Sequence, residues 1–306
     1  MRFDRFAPER VCRWTVPLPR LTQGDDEGED VSHMFAEAET WARTRLRAAF
    51  GTWPLFEARA KTVGWPRALR VARTERGEVR RLARDVHVPH ALVATIIPTH
   101  RRPESLVRAV ESALAQTVRD QVVVVVDDGA GLPPLPEDVR LVAVSLASNI
   151  GQAGAVRNIG IALSRSTYLA FLDDDNEWRP HHLATALEAL AHGVDLVYTA
   201  VERVHPDGTQ LDVLSRAFER GALMEASFVD TNSIVARRGP GVCFSRLPRS
   251  GEAVPGEDWE LVWRLSRRGR VEHLPETTVT YLVNPDSYFT QWRTHPDPSP
   301  ETGAPR

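Results

Sequence analysis

Two short apolar runs in this chain end abruptly in carboxylates. Five consecutive valines at 122–126 lead into Asp127-Asp128-Gly129, and Tyr168-Leu169-Ala170-Phe171-Leu172 leads into Asp173-Asp174-Asp175-Asn176. Uninterrupted apolar runs of this length predict strands covered on both faces, and Asp-Asp-Gly predicts a turn. Both strands therefore deliver acidic residues at their carboxyl ends, the edge where an open α/β sheet takes its ligands.

The surrounding pattern repeats this plan. Ala91-Leu92-Val93-Ala94-Thr95-Ile96-Ile97 predicts a strand stopped by Pro98, and 141–144 another. Helical spacing of apolar residues predicts helices over 104–116, 154–163 and 180–191, and 195–199 reads as a further strand. Strands alternating with helices of this size predict one mostly parallel sheet with helices on both faces. The rhythm then loosens. A hairpin is expected around Pro206-Asp207-Gly208, strands over 228–236 and 279–283, and a helix over 258–268.

Upstream, residues 1–22 predict an irregular arm and 24–30 an acidic solvated loop. Ser32 is placed to cap a helix whose stripe contains Met34, Phe35, Trp41, Leu46 and Phe50. Trp53-Pro54, Trp65-Pro66 and Gly77 interrupt the periodicity that follows and leave a short amphipathic helix over 78–84. The boundaries expected are a 1–90 N-terminal extension, a 91–290 α/β domain and a polar, proline-rich, disordered tail at 291–306. The apolar stripe in the extension needs a partner, either the main domain or a second copy in a homodimer.

Composition narrows the class. A net charge of −3 supplies no global basic field, which argues against nucleic acid as a partner. Cys12 and Cys243 are too few for a disulfide framework or a zinc site. The start, Met1-Arg2-Phe3-Asp4-Arg5, leads into no apolar secretory core, and no run of 18 apolar residues could span a bilayer. The expectation is a soluble cytoplasmic protein that retains scope for peripheral membrane contact through a surface helix.

Three adjacent carboxylates, Asp173, Asp174 and Asp175, repel one another unless a cation or donors compensate. Oxygen-only ligands favour a hard ion such as Mg2+ or Mn2+, held by one or two carboxylates together with diphosphate oxygens. In extended chain, Asp173 and Asp175 face one side and Asp174 the other. Asp127 and Asp128 are placed either to accept from a ligand NH or ribose hydroxyl, or to bond their own turn. Arg157, one turn into the helix after a glycine-containing loop, could put a cation near a phosphate or base. Asp258 opens a late helix either as its N-cap or as a general base, with Trp259 as a wall beside it.

Taken together, these segments resemble the inverting nucleotide-sugar glycosyltransferases of family 2. They are Ile96-Ile97-Pro98-Thr99-His100-Arg101, Val126-Asp127-Asp128-Gly129, Asn149-Ile150-Gly151 through Arg157-Asn158-Ile159-Gly160, Phe171 to Trp178, and Gly256-Glu257-Asp258-Trp259. His100 stands where that family commonly has an aromatic residue, and Arg101 where it has asparagine. The resemblance implies a GT-A fold, a Rossmann-like sheet flanked by helices with an N-terminal helical extension here. It implies a nucleoside-diphosphate sugar donor, UDP favoured, and an acceptor of unspecified identity. Thr99 and Asp128 would hold the base with His100 beside them, and Arg157 would approach the base or phosphates. Asp173 and Asp174 would lie near the ribose, Asp175 would bind the metal, and Asp258 would be the base. Two other classes compete: a nucleotidyltransferase making a nucleotide sugar, and a non-catalytic nucleotide-sugar-binding assembly subunit. A dinucleotide-binding dehydrogenase is disfavoured, since no Gly-x-Gly-x-x-Gly follows the first strand.

Overall fold

The computed structural model describes residues 52–247 and 256–283. The arm, the acidic block, the Ser32-capped helix and the tail expected from the sequence lie outside them. Described chain begins with two helices, α1 (Thr52–Thr62) and α2 (Trp65–Asp85). Next come β1 (Val93–Thr99), α3 (Pro103–Leu114), β2 (Gln121–Asp127), β3 (Leu141–Ser145), α4 (Ala153–Leu163), β4 (Tyr168–Phe171) and β5 (Asn176–Trp178). The remainder is α5 (His182–Ala191), β6 (Leu196–Val204), β7 (Gln210–Leu214), α6 (Arg220–Glu225), β8 (Ile234–Arg237), α7 (Glu257–Ser266) and β9 (Val271–Leu282).

The Trp-Pro pairs start helices instead of breaking them. Pro54 lies in the first turn of α1 and Pro66 in the first turn of α2, where the missing N–H is not needed and the fixed φ suits the helix. Gly77 sits inside α2 without ending it; a lone glycine costs a helix only about 1 kcal/mol, and the packing of Leu82 and Val79 on the core offsets that. The predicted 78–84 helix is thus the last third of a longer one.

All nine strands form one sheet in the order β3-β2-β1-β4-β8-β6-β9-β5, with β7 paired to β6. Its directions are mixed. β3, β2, β1 and β4 run parallel, as do β6 and β9, whereas β8 is antiparallel to β4 and β6, β7 to β6, and β5 to β9. Only β6 and β7 are joined by a short hairpin, which makes that pair antiparallel.

Strand alternation explains the unbroken apolar runs. Ala94, Ile96, Val122, Val124, Val126, Leu169 and Phe171 face one layer, with Val156 and Ile159 of α4, Leu82 of α2 and Leu261 of α7. Val93, Ile97, Val123, Val125, Ala170 and Leu172 face the other, with Leu106 and Val110 of α3 and Leu183 of α5. Neither side of these strands meets water, so neither can be polar. Gly160 lets α4 approach the sheet: a Cβ there would lie 2.7 Å from Ile96 Cγ2.

Chain leaving β1 goes to β2 and β3 on one side, then returns through α4 to β4 on the other. The carboxyl ends of β1 and β4 therefore flank a topological switch point, the usual ligand crevice of such sheets. Pro98 continues β1 instead of stopping it, pairing in register with Val126 of β2. Leu172 N donates to Ile96 O and Asp128 N to Thr99 O, so Pro98 faces the β4 side, where the ladder ends at Ile96–Phe171. It has no N–H with which to extend that ladder.

After β2 the chain turns at Gly129, whose φ is +74° and whose added Cβ would sit 2.7 Å from the backbone carbon of Ser148. Both the left-handed conformation and the close approach require glycine. Gly129→Ala is expected to destabilise the fold by about 2 kcal/mol or more, measured by urea unfolding; an unchanged midpoint would show that the 148–149 loop can move away.

Candidate active site

The first two strand ends are cross-tied. Asp127 closes its own turn, accepting from Ala130 N (3.1 Å) and Gly131 N (2.8 Å). Asp128 reaches across to the loop before α4, its two oxygens accepting from Ile150 N (2.6 Å) and Gly151 N (2.9 Å). His100 Nδ1 lies 3.1 Å from the Asp128 carbonyl, which can only accept, so that nitrogen carries the proton. Its Nε2 is then the acceptor for the Asn149 amide at 3.1 Å. Arg101, next in the chain, has φ 57°, a conformation that asparagine tolerates better than arginine.

The β4 end distributes its three carboxylates. Asp173 continues the strand alternation towards α4. Asp174 points to the opposite layer, where Thr99 Oγ1 donates to it at 2.7 Å. The chain turns at Asp174 and Asp175, so Asp175 does not return to the side of Asp173. Instead Arg102 Nη1 donates to both Asp175 and Asp174. Burial pushes Asp174 up to about 6, against the opposing pull of Thr99 and Arg102. Asp175 is also raised, by burial first and then by the charge of Asp173.

Arg157 stands at the centre. It is only 4% exposed, with one guanidinium nitrogen donating to Asp173 and another to Glu257. Its guanidinium carbon lies 4.9 Å from the centre of the Phe244 ring. That ring meets Phe171 edge-on at 4.9 Å, directly below Asp173. Arg157 Nε is buried and has no hydrogen-bond partner among the described residues. Gly154, one turn earlier, keeps α4 open to α7: a Cβ there would meet Glu257 Oε2 at 2.4 Å.

The α7 terminus differs from the sequence expectation in detail. Its N-cap is Gly256, which makes no side-chain cap. Asp258 lies inside the first turn, its Oδ1 accepting from Trp259 N at 2.7 Å. The N-cap reading of Asp258 is thereby removed. Trp259 has ring partners of its own. It donates Nε1–H to Leu223 O and packs edge-on against Trp53, at 5.4 Å between ring centres.

Sequence reasoning missed four participants. Arg102 carried a signal, an arginine just after the first-strand motif. In the sequence Glu257 stands out only as the neighbour of Asp258. Asn232 and Asp230 carried none, because a 3-10 turn (Thr231–Ser233) brings them in from the far half of the sheet. Asn232 is fully buried; its Oδ1 accepts from Asp173 N at 2.6 Å and its Nδ2 donates to Asp230 at 2.7 Å. Burial, then the charges of Asp173 and Asp258, push the Asp230 carboxyl up to about 7.

The crevice thus gathers Asp173, Asp174, Asp175, Asp230, Glu257 and Asp258 around two guanidiniums, an excess of negative charge that suits a cationic ligand. Among the described residues no three His, Cys, Asp or Glu side chains converge as a ready-made metal cage. The donor set fits the other mode, in which one or two carboxylates hold a hard ion and a diphosphate completes its shell.

A model of glycosyl transferase family 2 matches residues 94–245, and the chain belongs to that family. It is 36% identical over 132 residues to the succinoglycan biosynthesis protein ExoO of Rhizobium meliloti, covering 41% of this chain and 37% of that one. An uncharacterized glycosyltransferase of Nostoc is 28% identical over 63% of this chain and 65% of its own. The chain thus spans about a third to just under two thirds of these two relatives. Among solved structures, S. aureus TarS 1-349 in complex with UDP-GlcNAc is similar with a TM-score of 0.49 and 15% identity, over 65% of this chain and 60% of that chain. Among the described residues no helix is long and apolar enough to cross a membrane.

The raised Asp230 group gives a pH test. A carboxylate whose folded pKa is raised contributes stability that is complete below its unfolded pKa, near 4, and lost as pH rises through about 7. Asp230→Asn removes that loss, so its stability relative to the parent should be higher at pH 8 than at pH 5. Urea unfolding at both values checks this; a pH-independent difference would mean the Asp230 carboxyl is not held protonated in the folded state.

Proposed function

We propose that the protein is a metal-assisted inverting glycosyltransferase. It moves a sugar from a nucleoside-diphosphate sugar, a UDP-sugar in first choice, to an acceptor hydroxyl or amine. The observation that carries this reading is the ion-paired chain at the switch point. It links the β4 carboxylates through Arg157 to the first turn of α7, and the family match and its curated relatives support it.

The chemical task is to break the bond between an anomeric carbon and a diphosphate oxygen while forming one to the acceptor. Thr99 and Asp128 contact the base, with His100 at the edge of that pocket. The Asp128 oxygens also fix the 149–151 loop, so this carboxylate shapes the site as well as accepting from the ligand. Asp173 and Asp174 lie at the ribose. The unpaired Arg157 Nε–H is a donor for a ligand oxygen. A divalent ion held by Asp175 supplies, when bound, charge stabilisation for the leaving diphosphate.

Asp258 takes the proton of the acceptor hydroxyl or amine as it attacks the face opposite the leaving group. The bond to the acceptor forms, the bond to the diphosphate breaks, and the anomeric centre inverts in one displacement. No covalent sugar–enzyme species is needed. The transfer machinery then lies within 91–290.

Three measurements test this. Calorimetry with UDP, GDP, CDP and dTDP, each with and without Mn2+, should show metal-dependent binding, strongest for UDP; a folded protein that binds none of them ends the proposal. Asp258→Asn should retain UDP binding and lose transfer by about a thousandfold or more, the scale expected of a general base; normal turnover would remove it from that role. Asp175→Ala should abolish the Mn2+-dependent part of UDP affinity, and an unchanged metal dependence would assign the ion to another residue.

A further inference from the structure

Glu75 is a buried acid on a helix that precedes the first strand. It lies mid-way along α2, outside the residues that the family model matches, and is 4% exposed. Burial raises its pKa, offset by the hydrogen bond of Asn158 and the charge of Arg246. A carboxylate enclosed in this way costs free energy unless its partners need it.

Those partners lead into the active site. Asn158 Nδ2 donates to Glu75 at 3.0 Å and Arg246 Nε donates to it at 2.5 Å. Asn158 is the residue after Arg157 on α4. The same amide clamps the backbone of Phe244, accepting from Phe244 N at 2.7 Å and donating to Phe244 O at 3.0 Å. Phe244 in turn carries the guanidinium of Arg157 over its ring and braces Phe171 below Asp173. One carboxylate therefore fixes Asn158 from behind and the 244–246 strap from the side, and both bear on Arg157.

The other described helix before β1, α1, reinforces the other half of the arrangement. Trp53 of α1 stacks on Trp263 of α7 at 4.8 Å with the rings 15° apart, and meets Trp259 edge-on. So α2 braces the helix that carries Arg157, and α1 braces the helix that carries Glu257 and Asp258.

We propose that Glu75 is a positioning residue for the transfer reaction. It holds Asn158 and Arg246 so that Arg157 spans Asp173 and Glu257, and the 52–85 helices are thereby part of the active site's support. The link to nucleotide binding rests on the function proposed above.

The test compares Glu75→Ala and Glu75→Gln in the full chain, well below their melting temperatures. Glu75→Ala removes both acceptors; Glu75→Gln keeps an acceptor for Asn158. UDP affinity should fall about tenfold in Glu75→Ala, the scale of one charge-assisted hydrogen bond, and Glu75→Gln should recover most of it. Amide hydrogen exchange without nucleotide should accelerate over 153–163 and 257–266 in Glu75→Ala and return towards the parent in Glu75→Gln. A lowered melting temperature with parental exchange in both segments overturns the inference, as does parental UDP affinity in Glu75→Ala. If the parent itself binds no nucleotide, the functional reading fails, and the exchange comparison still decides whether Glu75 orders α4 and α7.

Discussion

The arrangement depends on one guanidinium withdrawn from water. Arg157 is held where its charge is tolerable only because Asp173 and Glu257 meet it. Desolvating such a group costs several kcal/mol, and breaking a buried pair leaves the remaining charge uncompensated at about 3–5 kcal/mol. The pairing consequently dictates geometry. It fixes the end of β4 against the start of α7, two points with β5, α5, β6, β7, α6 and β8 between them along the chain. Gly154 makes room for Glu257 to reach it, and the Phe244 ring closes the site from below.

The rest of the crevice is an electrostatic compromise. Asp174 and Asp175 are raised by burial, and Arg102 neutralises them only in part. Asp230 adds a further carboxyl displaced towards its neutral form. Stored repulsion of this kind is released when a cation or a donor-rich ligand arrives, so the same charges that weaken the free protein favour the bound one. The helices before β1 supply rigidity from outside this conflict, through neutral ring stacking at Trp53 and a single acid at Glu75.

The parallel half was legible in the sequence because its signals are local. Five valines in a row can only be a strand with two covered faces, and Asp-Asp-Gly after it can only turn. Asp128, Asp173, Asp174 and Asp175 follow the ends of the strands that the apolar runs predict, and Thr99, His100 and Arg157 contact Asp174, Asp128 and Asp173 there. Less was legible where the outcome rests on a distant partner. Trp-Pro read as an interruption because a first-turn proline and a helix-breaking one look alike until the residues after them find a core. Asp230 and Asn232 reach Asp173 through a pairing of β8 with β4, which no spacing announces. Asp258 drew attention to α7, yet it is the adjacent Glu257 that engages Arg157, because helix phase and the gap at Gly154 select the side chain.

Pro98 sits inside β1, in register with β2 on one side and with no N–H to offer β4 on the other. The separation of β1 and β4 beyond Ile96 and Phe171 is therefore written into the main chain. Side chains lining the cleft do not have to wedge it apart. Its mouth and its lining are consequently independent variables: residues such as His100 or Arg102 can be exchanged to suit another ligand while the opening that receives it persists.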